Sequence, residues 1–390
     1  MIARIALALC IFAPSICSAA DPSLKIDSPL PYQIFQRQSR GQGVITIAGH
    51  VEGTSSAVLE FRFIENGAEG SAPGAWKSIP FAPNSHDFKT TATIPAGGWY
   101  TLDVRLREGD RTVTQASVDR FGVGEVFVIA GQSNSTNYGP EPQKVSSDHV
   151  ASFDGRTWRI ADDPQLGVQD RSRGGSFLPA FGDAMYAKYK VPIGVASAGA
   201  GSTSVRQWLP KGHKIDVHPT TNSYIKEIGP NQWESTGQLY DGLIHRIQAL
   251  GPRGFRALLW HQGESDAGQA RAGFGDRQIS AEQYRKLMEE LIADSRKDAG
   301  WDFPWFVAQA TYHSADDPSD PEFRAAQKSL WDSGVALPGP DTDALVGDLR
   351  AGVHFNAKGL QAHGKLWAEK VQLELDAMLA REPAGRAAPQ

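Results

Sequence analysis

Cysteine is the first scarcity. The 390-residue chain has only Cys10 and Cys17, both within its first twenty residues. Without that segment no disulfide, thiol nucleophile or cysteine metal site is available. Stability then rests on burial, for which the chain is long enough. Long apolar runs are also missing. The nearest approach is "MIARIALALCIFAPSICSAA", with Arg4 near its start, a short apolar core broken by Pro14, and a small-residue end. It is too short to span a bilayer comfortably and has the layout of a secretory signal peptide cleaved after Ala19 or Ala20. The expectation is an exported protein, periplasmic or secreted, with no membrane span. Positive charge is not in excess either. A formal net charge of −5 argues against a general nucleic-acid binder, because phosphate contacts require a basic surface. The histidines, including His213, His218 and His261, lack the H-E-x-x-H spacing, and no P-loop lysine or dinucleotide fingerprint is present. Neither a metal nor a cofactor is expected.

What the chain does contain is ordinary globular composition, 41% hydrophobic and 21% charged, at a length that suggests two domains. Residues 21–122 read as β. "GVITIAGHV" (43–51), "AVLEFRFIE" (57–65) and "YTLDVRLRE" (100–108) alternate apolar and polar residues, which gives one buried and one wet face. Short strands over about a hundred residues predict a small immunoglobulin-like β-sandwich, and no chemical constellation falls within it. From residue 123 the pattern becomes strand–helix alternation. Strands are expected at 125–130, 191–197, 256–261 and 304–310, and helices at 177–189, 236–250, 280–298, 321–333 and 357–380. That alternation predicts a parallel sheet covered on both faces. Ser280 and Gln283 make a capping box for the third helix. The segment 209–235 shows no clear periodicity and reads as a lid or binding loop. Residues 381–390 read as a disordered tail. The expected division is 1–20 signal peptide, 21–122 β-domain, 123–380 α/β domain and 381–390 tail.

In parallel α/β sheets, ligands bind beyond the carboxyl ends of the strands. After the first of these strands stands Gly131-Gln132-Ser133-Asn134, and after the second Gly199-Ala200-Gly201-Ser202-Thr203-Ser204. After the third stands His261-Gln262-Gly263-Glu264-Ser265-Asp266, and His354 lies just before the last helix. A hydroxyl, an imidazole, a carboxylate and several amides on one edge suit acyl transfer. Serine needs a base, the base needs a group to orient it, and a tetrahedral intermediate needs donors for its oxyanion.

These blocks resemble those of SGNH hydrolases, and more narrowly the sialate O-acetylesterase-like proteins and carbohydrate esterase family six, which includes acetylxylan esterases. "GQSN" matches the nucleophile block, "GSTSVRQW" (201–208) resembles "GGTSIDQW", and "WHQGESD" (260–266) is the most specific match. "GVHF" (352–355) resembles the block carrying the catalytic histidine. The resemblance covers about 125–370 and implies a three-layer SGNH (flavodoxin-like) hydrolase domain. It implies Ser133 as nucleophile, His354 as general base, and the backbone N–H groups of Ser133 and Gly201 as oxyanion donors. Gln262 would add a side-chain donor, with Gln132 and Asn134 near the substrate. Two positions depart from the family pattern. Ala351 stands where relatives carry the triad aspartate, and Arg206 where an acidic residue is usual. The third triad member therefore stays open between Glu264 and Asp348. The activity implied is removal of O-acetyl groups from a carbohydrate such as an acetylated polysaccharide, an oligosaccharide or sialic acid. A glycan-binding protein with a degenerate site and an esterase for a non-sugar ester stay open beside it.

Overall fold

The computed structural model describes residues 22–52, 57–66, 72–80, 86–268 and 270–381. The expected signal peptide, and all but the first residue of the expected tail, lie outside the described residues. The N-terminal part contributes β1 (Ser23–Ser28), β2 (Ile34–Gln36), β3 (Gln42–Glu52), β4 (Val58–Asn66), β5 (Lys77–Ile79), β6 (Asp87–Pro95) and β7 (Trp99–Glu108). Strand β8 (Arg111–Gly131) then runs past the point where the sequence pattern changes. Its first half pairs antiparallel with β7, and its second half enters a parallel sheet. Strands β1, β3 and β6 form one antiparallel sheet, while β5, β4 and β7 join β8. Period-two alternation explains their packing. Leu102, Val104 and Leu106 of β7 are fully buried, in one cluster with Ile45 and Ile47 of β3.

The remaining elements are β9 (Val150–Phe153), β10 (Trp158–Ile160), α1 (Leu178–Tyr189), β11 (Ile193–Ser197), β12 (Lys214–Ile215), β13 (Ile225–Gly229), β14 (Gln232–Ser235) and α2 (Gln238–Ala249). They continue with β15 (Ala257–His261), α3 (Glu264–Ala267), α4 (Ala281–Ala299), β16 (Trp305–Gln309), α5 (Pro321–Asp332), β17 (Leu337–Asp341), β18 (Arg350–Ala351), β19 (His354–Phe355) and α6 (Ala357–Arg381). The large mixed sheet has the order β10-β9-β11-β8-β15-β16-β17, parallel except at the β10 edge. Successive side chains of β8 point to opposite faces. Val126, Val128 and Ala130 pack with residues of α2, α4 and α5, whereas Phe127 and Ile129 pack with α1 and α6. Helix α4 starts on the expected capping box: Gln283 N–H donates to Ser280 Oγ at 3.1 Å, and Ser280 N–H to Gln283 Oε1 at 3.0 Å. No described helix is long and apolar enough to cross a membrane.

Two readings change. The segment 209–235 holds a small antiparallel sheet, β12-β14-β13. Its strands are two to five residues long, too short for a period-two pattern to stand out. The edge strand β17 contains Pro338 and Pro340. Proline removes a ladder donor and is tolerated at an edge, so its strand signal is masked.

A buried ion cluster joins the two halves of the chain. Glu125, fully buried, accepts from Arg37 Nε at 2.6 Å, Arg256 Nε at 2.8 Å and Gln36 Nε2 at 2.8 Å. Charges removed from water need such partners. Glu125→Gln is expected to cost about 3–5 kcal/mol, read as a lower midpoint in urea. A midpoint equal to that of the unsubstituted protein would show that the cluster does not hold the halves together.

Candidate active site

Register brings the chemistry to one edge. Ile129 of β8 lies opposite Ser197 of β11, and Gly131 opposite His261 of β15, so the segments that follow emerge side by side. Gly131 has φ 126°, and a Cβ there would sit 2.0 Å from the His261 carbonyl oxygen. Only glycine permits that turn. The chain then makes a single 3-10 turn, Ser133–Ser135, against β15 and against β19, which carries His354. Ser133 is 6% exposed, and its Oγ makes no hydrogen bond to any described residue.

The two amides of this turn each use one of their atoms as a clamp. Gln132 Oε1 accepts from the N–H groups of Ser265 (3.0 Å) and Gly263 (3.4 Å), fixing the start of α3. Asn134 Nδ2 donates to Glu264 Oε1 at 3.1 Å and to the Val353 carbonyl at 3.2 Å. One side chain thus ties the Ser133 turn to the Glu264 carboxylate and to the residue before His354. Gln262 departs from expectation. It is fully buried, and its Nε2 is engaged by the Thr203 carbonyl (3.1 Å) and Asp266 Oδ2 (2.7 Å), so no amide hydrogen is left for an oxyanion. Asp266 accepts in addition from Ser204 Oγ at 2.6 Å and Val205 N–H at 2.9 Å, and pairs with Arg206 at 3.4 Å. Arg206 is therefore an internal brace and not a substrate contact. Trp208 is fully buried, edge-on to Trp260, and belongs to the core. Trp233, on β14, is half-buried edge-on to His218.

Glu264 lies at the centre of the site. Its Oε1 is bonded by Asn134 and by His261 Nε2 at 3.0 Å, while Oε2 is buried without a partner among the described residues. Burial pushes its carboxyl up, but the pairing with His261 and the two hydrogen bonds outweigh that, and it is held below the usual range. His354 pairs across a two-residue hairpin with Ala351, and its ring lies 5.0 Å from that of Tyr138. Burial lowers the affinity of His354 for a proton, Glu264 raises it and Arg350 lowers it, and the net shift is downward. Glu264 acts on His354 through this field, with no direct hydrogen bond. Arg350 braces the loop. It donates to the carbonyls of Leu345 (2.6 Å), Thr342 (2.8 Å) and Val353 (3.0 Å), and lies over the Phe355 ring.

Asp348 is not part of this constellation. Its side chain is 75% exposed and pairs with Lys358. Gly201 is at the site, but its N–H donates to Asp170 Oδ2 at 2.6 Å. A Cβ at Gly201 would meet the Tyr138 ring at 2.5 Å, so glycine is required for Tyr138 to lie between it and His354. Among the expected oxyanion donors, Ser133 N–H alone has no acceptor among the described residues. Tyr138, Asp170 and Arg350 were not legible as site residues, because each lies outside the matched blocks, although Tyr138 follows "GQSN" and Arg350 precedes Ala351 and "GVHF"; Asp266 lay within the "WHQGESD" block.

A family model described as carbohydrate esterase, sialic acid-specific acetylesterase, matches residues 123–373. Among solved structures, a carbohydrate acetylesterase from Xanthomonas citri is similar at 17% identity and TM-score 0.52, over 90% of this chain and 74% of that one. That likeness is one of fold. A protein from Arabidopsis thaliana aligns at 19% identity and TM-score 0.44, over 64% of this chain and 98% of that one. A curated sequence, DNA mismatch repair protein MutS 1 of Haloarcula marismortui, is 28% identical over 188 residues. The match takes in 48% of this chain and 19% of that protein, so the chain spans about a fifth of the relative's length.

Proposed function

From the premise that the chain belongs to the carbohydrate esterase family of sialic acid-specific acetylesterases, we propose a cofactor-independent serine esterase that removes O-acetyl groups from a carbohydrate. Ser133 Oγ attacks the ester carbonyl while His354 takes its proton. The tetrahedral intermediate collapses, the sugar hydroxyl leaves with that proton, and an acetyl group stays on Ser133. Water, deprotonated by His354, then releases acetate. Glu264 is the acidic member, steadying the imidazolium through its charge. The observation that carries this reading is the Asn134 clamp, which holds an ionised, buried Glu264 to both the nucleophile turn and the backbone beside His354. Acetate release from acetylated xylan, xyloglucan and O-acetyl sialic acid tests it. Binding of these glycans without acetate release would make the chain a glycan-binding protein instead. A net charge of −5 speaks against nucleic acid as a partner. We read residues 123–380 as a three-layer SGNH hydrolase domain behind an immunoglobulin-like β-sandwich at 21–122, in a protein exported by the segment 1–20.

The base works only when neutral. Since burial and Arg350 hold His354 below its ordinary value of 6.5, the acid limb of kcat/KM is expected below pH 6.5. Burial brings Arg350 down to about 10, so it stays charged across that range. Arg350→Met removes a cation that opposes protonation of His354, and the limb is expected to move to higher pH. Movement to lower pH, or none, would contradict the coupling.

Asp170 bears on the oxyanion. A carboxylate on the Gly201 amide repels a developing negative charge there. Asp170→Asn removes that charge and leaves one oxygen to be shared between the donors Gly201 and Ser172. It is expected to tighten binding of a boronic acid, whose adduct with Ser133 is an anionic tetrahedron. Weaker binding would mean that Asp170 orders the Gly201 amide for catalysis.

A further inference from the structure

A groove of about 520 Å³ lies where the N-terminal strands meet the turn after β9, residues 153–158, and the end of α2, residues 248–254. The volume falls within the range of small-molecule sites, about 300–1,000 Å³. It is at the opposite end of the parallel sheet from Ser133. Strand β2, which lines it, pairs with Gly122–Gly124 of β8, whereas Ser133 follows the other end of that strand at Gly131. Seven residues of extended chain separate these positions by roughly 20 Å.

The lining has one sign of charge. Arg156 and Arg253 both face the groove, and among the described residues no aspartate, glutamate, lysine or histidine lines it. Both arginines are exposed and have no ion-pair or hydrogen-bond partner for their side chains among the described residues. The nearby Asp154 is already engaged. It accepts from the N–H groups of Arg156 (2.8 Å) and Thr157 (2.7 Å), and it lies in the field of Arg246. Arg253 has φ 55°, a left-handed conformation that is uncommon for residues other than glycine, so an arginine stands there against backbone preference. Helix α2 ends at Ala249, which brings about half a negative charge to the groove. Two full positive charges exceed it. The walls alternate amide and apolar groups, with Gln33 and Gln248 beside Phe35 and Val44, the last 43% exposed.

We propose that this groove is a second glycan-binding site, distinct from the hydrolytic one, that takes a uronate-bearing oligosaccharide. Planar guanidinium groups pair with carboxylates in two-pronged hydrogen bonds. The amides suit sugar hydroxyls, and the apolar walls suit the C–H faces of the rings. The choice of a sugar as ligand rests on the carbohydrate-esterase reading. The site would hold an acidic polymer on the protein while ester groups elsewhere on the chain reach Ser133.

Calorimetric titration with two unacetylated oligomers tests this, because neither carries an ester for Ser133 to cleave. Oligogalacturonate is expected to bind, and a neutral xylo-oligosaccharide of equal length to bind at least about tenfold more weakly. The affinity for oligogalacturonate should fall with added salt, and about tenfold or more in the Arg156→Ala/Arg253→Ala double variant. Hydrolysis of a small aryl acetate by that variant should equal that of the unsubstituted protein. Equal binding of the two oligomers, or full binding of oligogalacturonate by the double variant, would overturn the proposal. Aryl acetate turnover reports on the hydrolytic reading separately: binding at the arginines without turnover keeps the groove and discards only the esterase.

Discussion

Ser133→Ala is expected to lower kcat by about 10⁴–10⁶-fold, the loss seen when one member of a cooperating triad is removed. Stability should not change with it. The Ser133 Oγ has no partner among the described residues, so alanine leaves no donor or acceptor unsatisfied, and its smaller side chain fits the same 3-10 turn. The measurement is turnover of an aryl acetate and of an acetylated oligosaccharide, together with the thermal midpoint. Loss on both substrates at an unchanged midpoint is the expected pattern. Undiminished turnover in the folded variant would remove Ser133 from the mechanism. A serine-directed phosphonate should label the unsubstituted protein at Ser133 and leave the variant unlabelled.

Glu264→Gln should cost about 10³–10⁴-fold in kcat, by analogy with neutralising the acid of a serine triad. The carboxylate lies between His261, Asn134 and the field of His354. An amide of the same shape can keep both contacts through its oxygen at the Oε1 position, with its nitrogen where Oε2 has no partner among the described residues, but it cannot stabilise the imidazolium. Asp348→Asn is the matched control. It breaks one exposed pair with Lys358, a contact worth at most about 1 kcal/mol, and turnover should hardly move. The pair of variants assigns the acid. If Asp348→Asn were the more damaging change in folded protein, the loop around 347–353 would have to rearrange to deliver Asp348 to His354.

Much of the architecture is legible without coordinates. The strands expected at 125–130, 191–197, 256–261 and 304–310 overlap β8, β11, β15 and β16, and the five long helices begin and end within two residues of their expected positions. Apolar periodicity is a local property, and burial of one face enforces it. The short strands of 209–235 and the proline-bearing β17 were not legible for the converse reason: two to five residues, or a strand with two prolines, carry too little pattern.

The residue types at the candidate site were also set by the sequence. Ser133, Glu264 and His354 stand at the ends of strands or beside a helix start, and a parallel sheet gathers such ends on one edge. Which atom meets which was decided only by the tertiary structure. Asn134 clamps Glu264 and Val353 across 130 and 219 positions of chain. Gln262 spends both amide hydrogens on Thr203 and Asp266. Asp170 caps the Gly201 amide from 31 residues away. An amide or carboxylate carries the same donors and acceptors whether it braces a loop or contacts a substrate. Its role follows from which partners reach it first, and those partners arrive from distant parts of the chain only when the sheet has formed.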